Sequence, residues 1–105
     1  MAETAAPTTA ATTLHALIRA GAEEATALSS PGGVPLTFGR LRALTDRTIA
    51  ALNAQGIGRN DRVGIVLDNG PEMAAAFIAI GAGTTAAPLN PSYKADEFTF
   101  YLSDL

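Results

Sequence analysis

The chain has 105 residues, 48% of them hydrophobic, and a net charge of -3, which suits a single domain. Its 7 basic residues are balanced by 10 acidic ones, so nucleic acid and anionic membranes, which need clustered Lys and Arg, are excluded as main partners. Zero cysteines and one histidine exclude disulfide scaffolds, cysteine nucleophiles and multi-histidine metal sites.

The N-terminal segment predicts a disordered tail over residues 1–13, because its Ala and Thr side chains bury too little surface to offset the entropy of ordering. It lacks the basic start and apolar run of a secretory signal and the arginines of a mitochondrial presequence, so we expect a cytoplasmic location. No window of about 18 residues is apolar throughout, which predicts that no helix spans a membrane.

The chain then predicts a helix followed by a small hairpin. Leu14, Leu17 and Ile18 share one face at helical spacing, which predicts an amphipathic helix from Leu14 to about Ala25. Residues 30–33, with the sequence Ser-Pro-Gly-Gly, stand between two short apolar segments, as expected for a turn that joins two strands.

Both ends of the next helix are indicated by local signals. Thr37 is placed to cap its first turn, and Gly56 is placed to end it in a left-handed conformation with Ile57 folded back on Leu52. Between these ends, the predicted apolar face consists of Phe38, Leu41, Thr45, Ile49 and Leu52.

The second half predicts a parallel strand-helix-strand unit. Residues 63–67 run without alternation, as expected of a strand covered on both faces. Pro71 suits the first position of a helix, Glu72 complements the helix dipole, and we expect this helix to be buried nearly all round. A second strand over residues 84–89 completes a right-handed crossover.

A last helix is predicted over residues 95–103. Its apolar side contains Ala95, Phe98, Tyr101, Leu102 and Leu105. Two buried parallel strands need cover on both faces and further neighbouring strands, so we expect the sheet to be incomplete within this chain.

Residues 36–105 resemble the start of the large N-terminal domain of adenylate-forming enzymes, the superfamily of acyl-CoA synthetases and AMP-dependent ligases. Leu36-Thr37-Phe38 followed by Leu41 resembles the first core motif of that family, and residues 82–91 resemble the second. The run from Thr85 to Leu105 is especially similar to oxalate-CoA ligases, with other small-acid or fatty-acid CoA ligases as the second alternative. Lys94 departs from the pattern, because relatives often carry a helix-capping Thr there.

The resemblance implies an α/β fold in which residues 14–105 are a partial N-terminal subdomain of an AMP-dependent ligase. It also implies an enzyme that uses ATP, Mg²⁺ and coenzyme A to convert a carboxylate into an acyl-adenylate and then an acyl-CoA. The family's phosphate loop, its aromatic-Thr-Glu segment, its ribose-binding Asp and its C-terminal catalytic Lys are expected beyond the position that matches Leu105. No catalytic, cofactor-binding or metal-binding residue is therefore assigned to this chain, which we expect to be inactive by itself.

The partners that this resemblance implies are the remainder of the ligase N-terminal domain and, for the parent enzyme, a small carboxylic acid. Two alternatives stay open. The chain could be a complete small α/β binding module that uses residues 68–72, or an interaction subunit whose sheet edge pairs with a separately encoded partner.

Two glycine- and acid-containing segments lie near predicted strand and helix ends. Residues 81–86 fit the letters of a G-x-G-x-x-A dinucleotide fingerprint, but they follow a helix instead of opening one, which favours a helix stop. Residues 68–72 occupy the usual ligand position of an open α/β sheet. Asp68 and Glu72 would repel phosphate there, which favours a capped turn.

The remaining polar candidates favour structural interpretations. His15 has no second histidine or adjacent carboxylate, so an exposed or packed helix position is favoured over catalysis. Arg40, Arg42 and Arg47 are interspersed with Asp46, which favours a solvated helix face over a basic patch.

The aromatic residues near the C-terminus have two interpretations. Tyr93 and Lys94 could reach a nucleotide, although a loop also explains them. Phe98, Phe100 and Tyr101 favour packing over a stacking platform, because two of the three fall on the apolar face of the predicted last helix.

Overall fold

A computed structural model describes residues 12–105, which form four helices and two small sheets. In chain order the elements are α1 (Leu14–Leu17), β1 (Thr26–Leu28), β2 (Leu36–Thr37), α2 (Phe38–Ala54), β3 (Arg62–Val66), α3 (Pro71–Gly81), β4 (Thr85–Leu89) and α4 (Ala95–Asp104). Residues 1–11 of the predicted tail lie outside the described residues. Thr13 lies within them and caps α1, because its hydroxyl accepts a hydrogen bond from the Ala16 N–H at 3.0 Å. The order of elements is the predicted α/β order.

The first helix is shorter than predicted. It makes one turn and ends at Leu17, whereas the apolar spacing predicted a helix to about Ala25. The guanidinium of Arg42, on α2, donates hydrogen bonds to three backbone carbonyls that a longer helix would have used internally. These are the carbonyls of Ile18 at 3.0 Å, Arg19 at 3.1 Å and Gly21. A contact from a distant helix therefore overrides the local periodicity.

The predicted hairpin is confirmed. Strands β1 and β2 pair antiparallel, with Thr26 opposite Thr37. In the connecting turn, the Gly33 N–H donates to the Ser30 carbonyl at 2.9 Å, and Gly32 has a φ of 74°. A positive φ at this position is the mark of a type II turn and is the conformation that glycine adopts without strain.

Both predicted ends of the long helix α2 are confirmed. The Thr37 hydroxyl accepts a hydrogen bond at 3.2 Å from the backbone N–H three residues later. At the other end Gly56 has a φ of 81°, its N–H donates to the Asn53 carbonyl at 3.0 Å, and the Ile57 N–H donates to the Leu52 carbonyl at 2.9 Å. These two hydrogen bonds make up a Schellman motif.

The core lies between α2 and α3 and between α3 and the parallel strands. Leu41 and Thr45, at the centre of the predicted apolar face of α2, are fully buried, and Ile18, Ile65 and Ala79 complete the buried set. The expectation that α3 is buried nearly all round is wrong. Only Ala79 of α3 is fully buried, and 42% of Phe77 is exposed, because α3 is covered on the sides that face α2 and the sheet.

The predicted parallel crossover is confirmed, since β3 and β4 pair parallel from Arg62 opposite Thr85 to Val66 opposite Leu89. Burial along β3 alternates, which overturns the expectation of full cover on both faces. The face that carries Gly64 and Val66 is covered in part by α4. A Cβ placed on Gly64 would lie 3.4 Å from Leu102 Cδ2, whereas 47% of Val66 stays exposed.

The final helix begins one residue after Lys94, the position at which the sequence departs from its relatives. The Glu97 carboxylate accepts a hydrogen bond at 2.9 Å from the Lys94 backbone N–H. An ammonium group has no lone pair to accept a bond in return, so the half of the capping box that needs a hydroxyl is lost. The Glu97 half is retained without it.

Candidate functional site

A cleft of about 420 Å³ lies at the carboxyl ends of β3 and β4. This is the position at which ligands bind in open α/β sheets, and it contains part of the 68–72 segment that the sequence placed there. Its polar lining consists of Asp68, Asn69, Asn90 and Ser92, and the remaining lining residues are apolar. The topology of the parallel pair, not a sequence motif, forms the cleft.

Two short loops position the polar groups of the cleft. The first runs from β3 to α3, where Pro71 occupies the first helical turn as predicted and Gly70 precedes it without a side-chain cap. The predicted capped turn is therefore a helix start that lacks a capping side chain. The second loop follows β4, where the Asn90 side-chain oxygen accepts from the Ser92 N–H at 2.9 Å and closes an Asx turn.

The charge in this cleft does not fit a nucleotide triphosphate. Asp68 carries the only formal charge among the lining residues, and Glu72 adds a second carboxylate in the first turn of α3. Binding of ATP phosphates needs cationic side chains, a metal ion or an array of backbone donors to balance several negative charges. Within residues 12–105, no three His, Asp or Glu side chains come together as metal ligands. We derive no phosphate chemistry from this cleft.

The structure brings His15 to partners that the sequence did not indicate. The Asp46 carboxylate on α2 lies 2.6 Å from the Arg19 guanidinium and 3.5 Å from His15 Nε2, and the Arg19 guanidinium lies 3.0 Å from the same ring nitrogen. The side chains are between 39% and 55% exposed. The Arg19 guanidinium contacts both the ring nitrogen of His15 and the Asp46 carboxylate, so this surface cluster ties α1 to α2.

The arginines of α2 do not form a basic patch. Arg40 and Arg47 are exposed, in agreement with the predicted solvated face. Arg42 is half-buried, and its guanidinium is directed at the backbone carbonyls that follow α1.

The aromatic residues near the C-terminus pack against one another. The Tyr93 ring stacks on Tyr101 at a centroid distance of 4.9 Å and meets Phe98 edge-on at 5.6 Å. Phe100 contacts Tyr101 edge-on at 5.2 Å but is 65% exposed. Desolvation raises the pKa of Tyr93, and Tyr101 and the Glu97 carboxylate raise it further. The predicted packing role is confirmed for the Phe98 and Tyr101 rings, and Tyr93, which lies in the loop before α4, packs against both.

The glycine-containing segment after α3 is a helix stop, as predicted. The Thr84 N–H and hydroxyl both donate to the Ile80 carbonyl, at 3.0 and 2.8 Å. A Cβ on Gly83 would lie 2.8 Å from Ile49 Cγ1, so this glycine allows the end of α3 to approach α2 closely. The geometry of this segment supports no role in phosphate binding.

Comparisons with known proteins give a consistent family. The AMP-binding enzyme family matches residues 16–105. The chain is 38% identical over 96 residues to a probable CoA ligase, CCL9, of Humulus lupulus, a match that covers 88% of this chain and 18% of that protein. It is 45% identical over 80 residues to the oxalate-CoA ligase of Arabidopsis thaliana, covering 74% of this chain and 16% of that protein.

A solved structure supports the same fold. The inhibitor-bound N-terminal domain of FACL13 from Mycobacterium tuberculosis superposes with a TM-score of 0.74 at 28% identity, covering 88% of this chain and 24% of that domain.

None of the helices in the described part of the chain is long and apolar enough to span a bilayer.

The fold is that of the N-terminal region of acyl-CoA ligases, and the chain belongs to the AMP-binding enzyme family. The chain spans less than a fifth of the length of the two curated relatives described above.

Proposed function

We propose that this chain is the N-terminal structural part of an AMP-forming acid-CoA ligase. The observation that carries the proposal is the family match over residues 16–105, which covers every strand and three of the four helices completely. In the parent reaction a carboxylate displaces pyrophosphate from ATP to give an acyl-adenylate. The thiol of coenzyme A then displaces AMP to give the thioester, with Mg²⁺ balancing phosphate charge.

Oxalate is the substrate that we propose for the parent enzyme. Support comes from the 45% identity to the oxalate-CoA ligase of Arabidopsis thaliana. A 3-hydroxybenzoate-CoA ligase at 34% and a long-chain-fatty-acid-CoA ligase at 36% define the competing acids. The proposed partners are the remainder of the ligase domain and a small carboxylic acid. We propose neither a nucleic acid nor a membrane as a partner. The proposed location is the cytoplasm.

The proposed contribution of residues 12–105 is a scaffold to which the rest of the ligase domain adds the reacting groups. The carboxylate-lined cleft at the ends of β3 and β4 supports this division, because its charge is opposite to what ATP phosphates require. Eight large apolar side chains of the described residues are exposed to solvent, which speaks against a self-contained binding module.

A chimera tests the scaffold role. In the oxalate-CoA ligase of Arabidopsis thaliana, the N-terminal segment that ends at the residue aligned with Leu105 is replaced by residues 1–105. Oxalate-dependent release of pyrophosphate and formation of oxalyl-CoA are then measured with ATP, Mg²⁺ and coenzyme A. We expect activity within about tenfold of the unmodified ligase, and none from the 105-residue chain alone.

Asp68→Asn supplies the matched control in the same chimera. A scaffold role predicts that this substitution changes the turnover number by less than about threefold, since the proposal assigns no contact with a reacting atom to this carboxylate. A loss of a hundredfold or more would place chemistry in this chain and contradict the proposal. An inactive but folded chimera would contradict it as well.

The substrate is tested separately, on the full-length ligase that carries this chain. We expect the specificity constant for oxalate to exceed those for 3-hydroxybenzoate and a long-chain fatty acid by at least about tenfold. A higher constant for either competitor would exclude oxalate.

A further inference from the structure

Asn69 and Gly70 form an Asn-Gly pair in the loop between β3 and α3. Both residues are exposed, and Asn69 lines the cleft at the carboxyl ends of the strands. In an Asn-Gly pair the backbone nitrogen of the glycine can attack the side-chain amide of the asparagine, because glycine has no Cβ to hinder the approach. The chain has four asparagines, and only Asn69 is followed by glycine.

The groups that would react at this pair are not held by other contacts. Among the described residues, neither the Gly70 N–H nor the Asn69 side-chain amide makes a hydrogen bond. The Gly70 carbonyl accepts from the Ala74 N–H at 3.1 Å, so the loop is tied to α3 on one side only. Exposed loops with few contacts open at little cost in free energy, which lets the Gly70 nitrogen reach the amide carbon.

Two of the other asparagines are followed by a backbone N–H that is already bonded. Asn53 lies inside α2, where the Ala54 N–H belongs to the helical ladder. After Asn60, the Asp61 N–H donates to the Gly58 carbonyl at 3.0 Å and closes a turn. A nitrogen that donates a hydrogen bond in a fixed turn or helix must lose that bond before it can attack a side chain.

The last asparagine, Asn90, cannot react in this way. It is followed by Pro91, which has no N–H. Its side-chain oxygen also accepts a hydrogen bond from the Ser92 N–H at 2.9 Å, which fixes the side chain. The cleft is therefore lined by two asparagines of opposite reactivity, Asn69 and Asn90.

We propose that Asn69 is a site of spontaneous deamidation, which adds a carboxylate to the cleft at the ends of β3 and β4. The Gly70 nitrogen forms a bond to Asn69 Cγ, and the bond from Cγ to Nδ2 breaks. The side-chain nitrogen leaves as ammonia, which carries away the proton of the Gly70 N–H. Water then opens the succinimide ring at one of its two carbonyl carbons, giving aspartate or isoaspartate. The reaction consumes only water, so it does not depend on the proposed function.

Both products change the lining of the cleft. Asp68 carries the only formal charge among the lining residues, so a carboxylate at the adjacent position doubles the negative charge. The isoaspartate also lengthens the main chain before α3 by one methylene group. The modified cleft is a poorer position for an anionic group than the unmodified one, because like charges repel.

Peptide mapping of the full 105-residue chain tests the proposal. After incubation in mildly alkaline buffer, trypsin cuts after Arg62 and Lys94 and releases one peptide that contains both Asn69 and Asn90. We expect tandem mass spectrometry to show a gain of about 1 Da at Asn69, as the amide becomes a carboxyl group. Asn90 in the same peptide should stay intact and serves as the internal control.

Two references separate the effect of the fold from that of the dipeptide. A synthetic peptide of residues 63–75 gives the rate without tertiary structure, and we expect Asn69 in the chain to react within about tenfold of it, because the loop opens readily. Asn69→Gln keeps an amide at this position. We expect it to lower the rate by at least about a hundredfold, because a six-membered ring closes less readily than a five-membered one.

The proposal fails if Asn53, Asn60 or Asn90 gains mass to the same extent as Asn69, since the fold would then not select the site. An Asn69 rate more than about a hundredfold below that of the peptide would also overturn it, because the loop would then hold the pair in an unreactive geometry. The readout is a change of mass and not of activity, so its result leaves the proposed function to its own tests.

Discussion

The contact between Gly21 and Phe38 tests how the segment after α1 packs against α2. A Cβ at position 21 would lie 2.6, 2.6 and 2.7 Å from three ring atoms of Phe38. Carbon atoms in contact are separated by about 3.5–4.0 Å, so Gly21→Ala requires a ring displacement of about 1 Å. Phe38 is the first residue of α2, and it lines an apolar cavity together with Leu14 and Leu17 of α1. Displacement of its ring therefore disturbs both helices.

The expected magnitude follows from two opposing effects. Overpacking of this kind costs about 1–3 kcal/mol. Replacing glycine by alanine also restricts the unfolded chain, which stabilises the folded state by about 0.4–1 kcal/mol. We therefore expect Gly21→Ala to lower the free energy of unfolding by about 1–2 kcal/mol.

Equilibrium urea denaturation followed by circular dichroism measures this change. Gly81→Ala is the matched control, because its new Cβ would make ordinary contacts at 3.4 and 3.6 Å and would improve helix propensity in α3. The double variant Gly21→Ala, Phe38→Ala removes the ring, so the penalty of the Gly21 change should disappear and the two substitutions should be non-additive. A neutral Gly21→Ala, or strict additivity with Phe38→Ala, would refute the packing argument.

Three further substitutions test other contacts, each by equilibrium unfolding. Arg42→Met should lower the free energy of unfolding by about 2 kcal/mol, because charge-assisted bonds to the carbonyls after α1 are lost; an unchanged midpoint would mean that water replaces them freely. Thr45→Val should be neutral or stabilising, since the Thr45 hydroxyl is fully buried without a hydrogen-bond partner, and a loss above about 1 kcal/mol would reveal a bond that the geometry lacks. The raised pKa of Tyr93 adds stability that is present below its ordinary value of 10.0 and is lost as the pH rises through the folded value. Stability should therefore fall above pH 10, and Tyr93→Phe should reduce that fall; an identical alkaline profile in the variant would contradict the assignment.

Features that depend on neighbouring residues could be predicted from the sequence. The limits of α2 depend on a hydroxyl and a glycine that act within one helical turn, so Thr37 and Gly56 were sufficient to place them. The length of α1 was not predictable in this way. It depends on Arg42, which is 24 residues from the first carbonyl that it binds. A pattern of neighbouring residues does not indicate a contact over that separation.

The same limit applies to the candidate sites. The cleft could be placed because the ends of parallel strands must meet at one edge of a sheet. The cluster of His15, Arg19 and Asp46 could not, since Asp46 is 27 positions from Arg19 and the sequence does not specify how α2 packs against the region of α1. The two-sided cover expected for residues 63–67 failed for a related reason. An unbroken apolar run shows that both faces of a strand can be buried, but it does not show which element covers each face.

The small core of this chain gives a physical reason to regard it as one part of a larger domain, as proposed above. Four apolar residues of the described region are buried, namely Ile18, Leu41, Ile65 and Ala79, whereas eight large apolar residues are exposed. Burial stabilises by about 25 cal/mol for each Å² of apolar surface, so alanine-rich α3 contributes little through its own contacts. The exposed set includes Val66 and Leu67, at the carboxyl end of β3. Cover over this end of β3 would withdraw that apolar surface from water, so hydrophobic burial favours the proposed role of the chain as one part of a larger ligase domain.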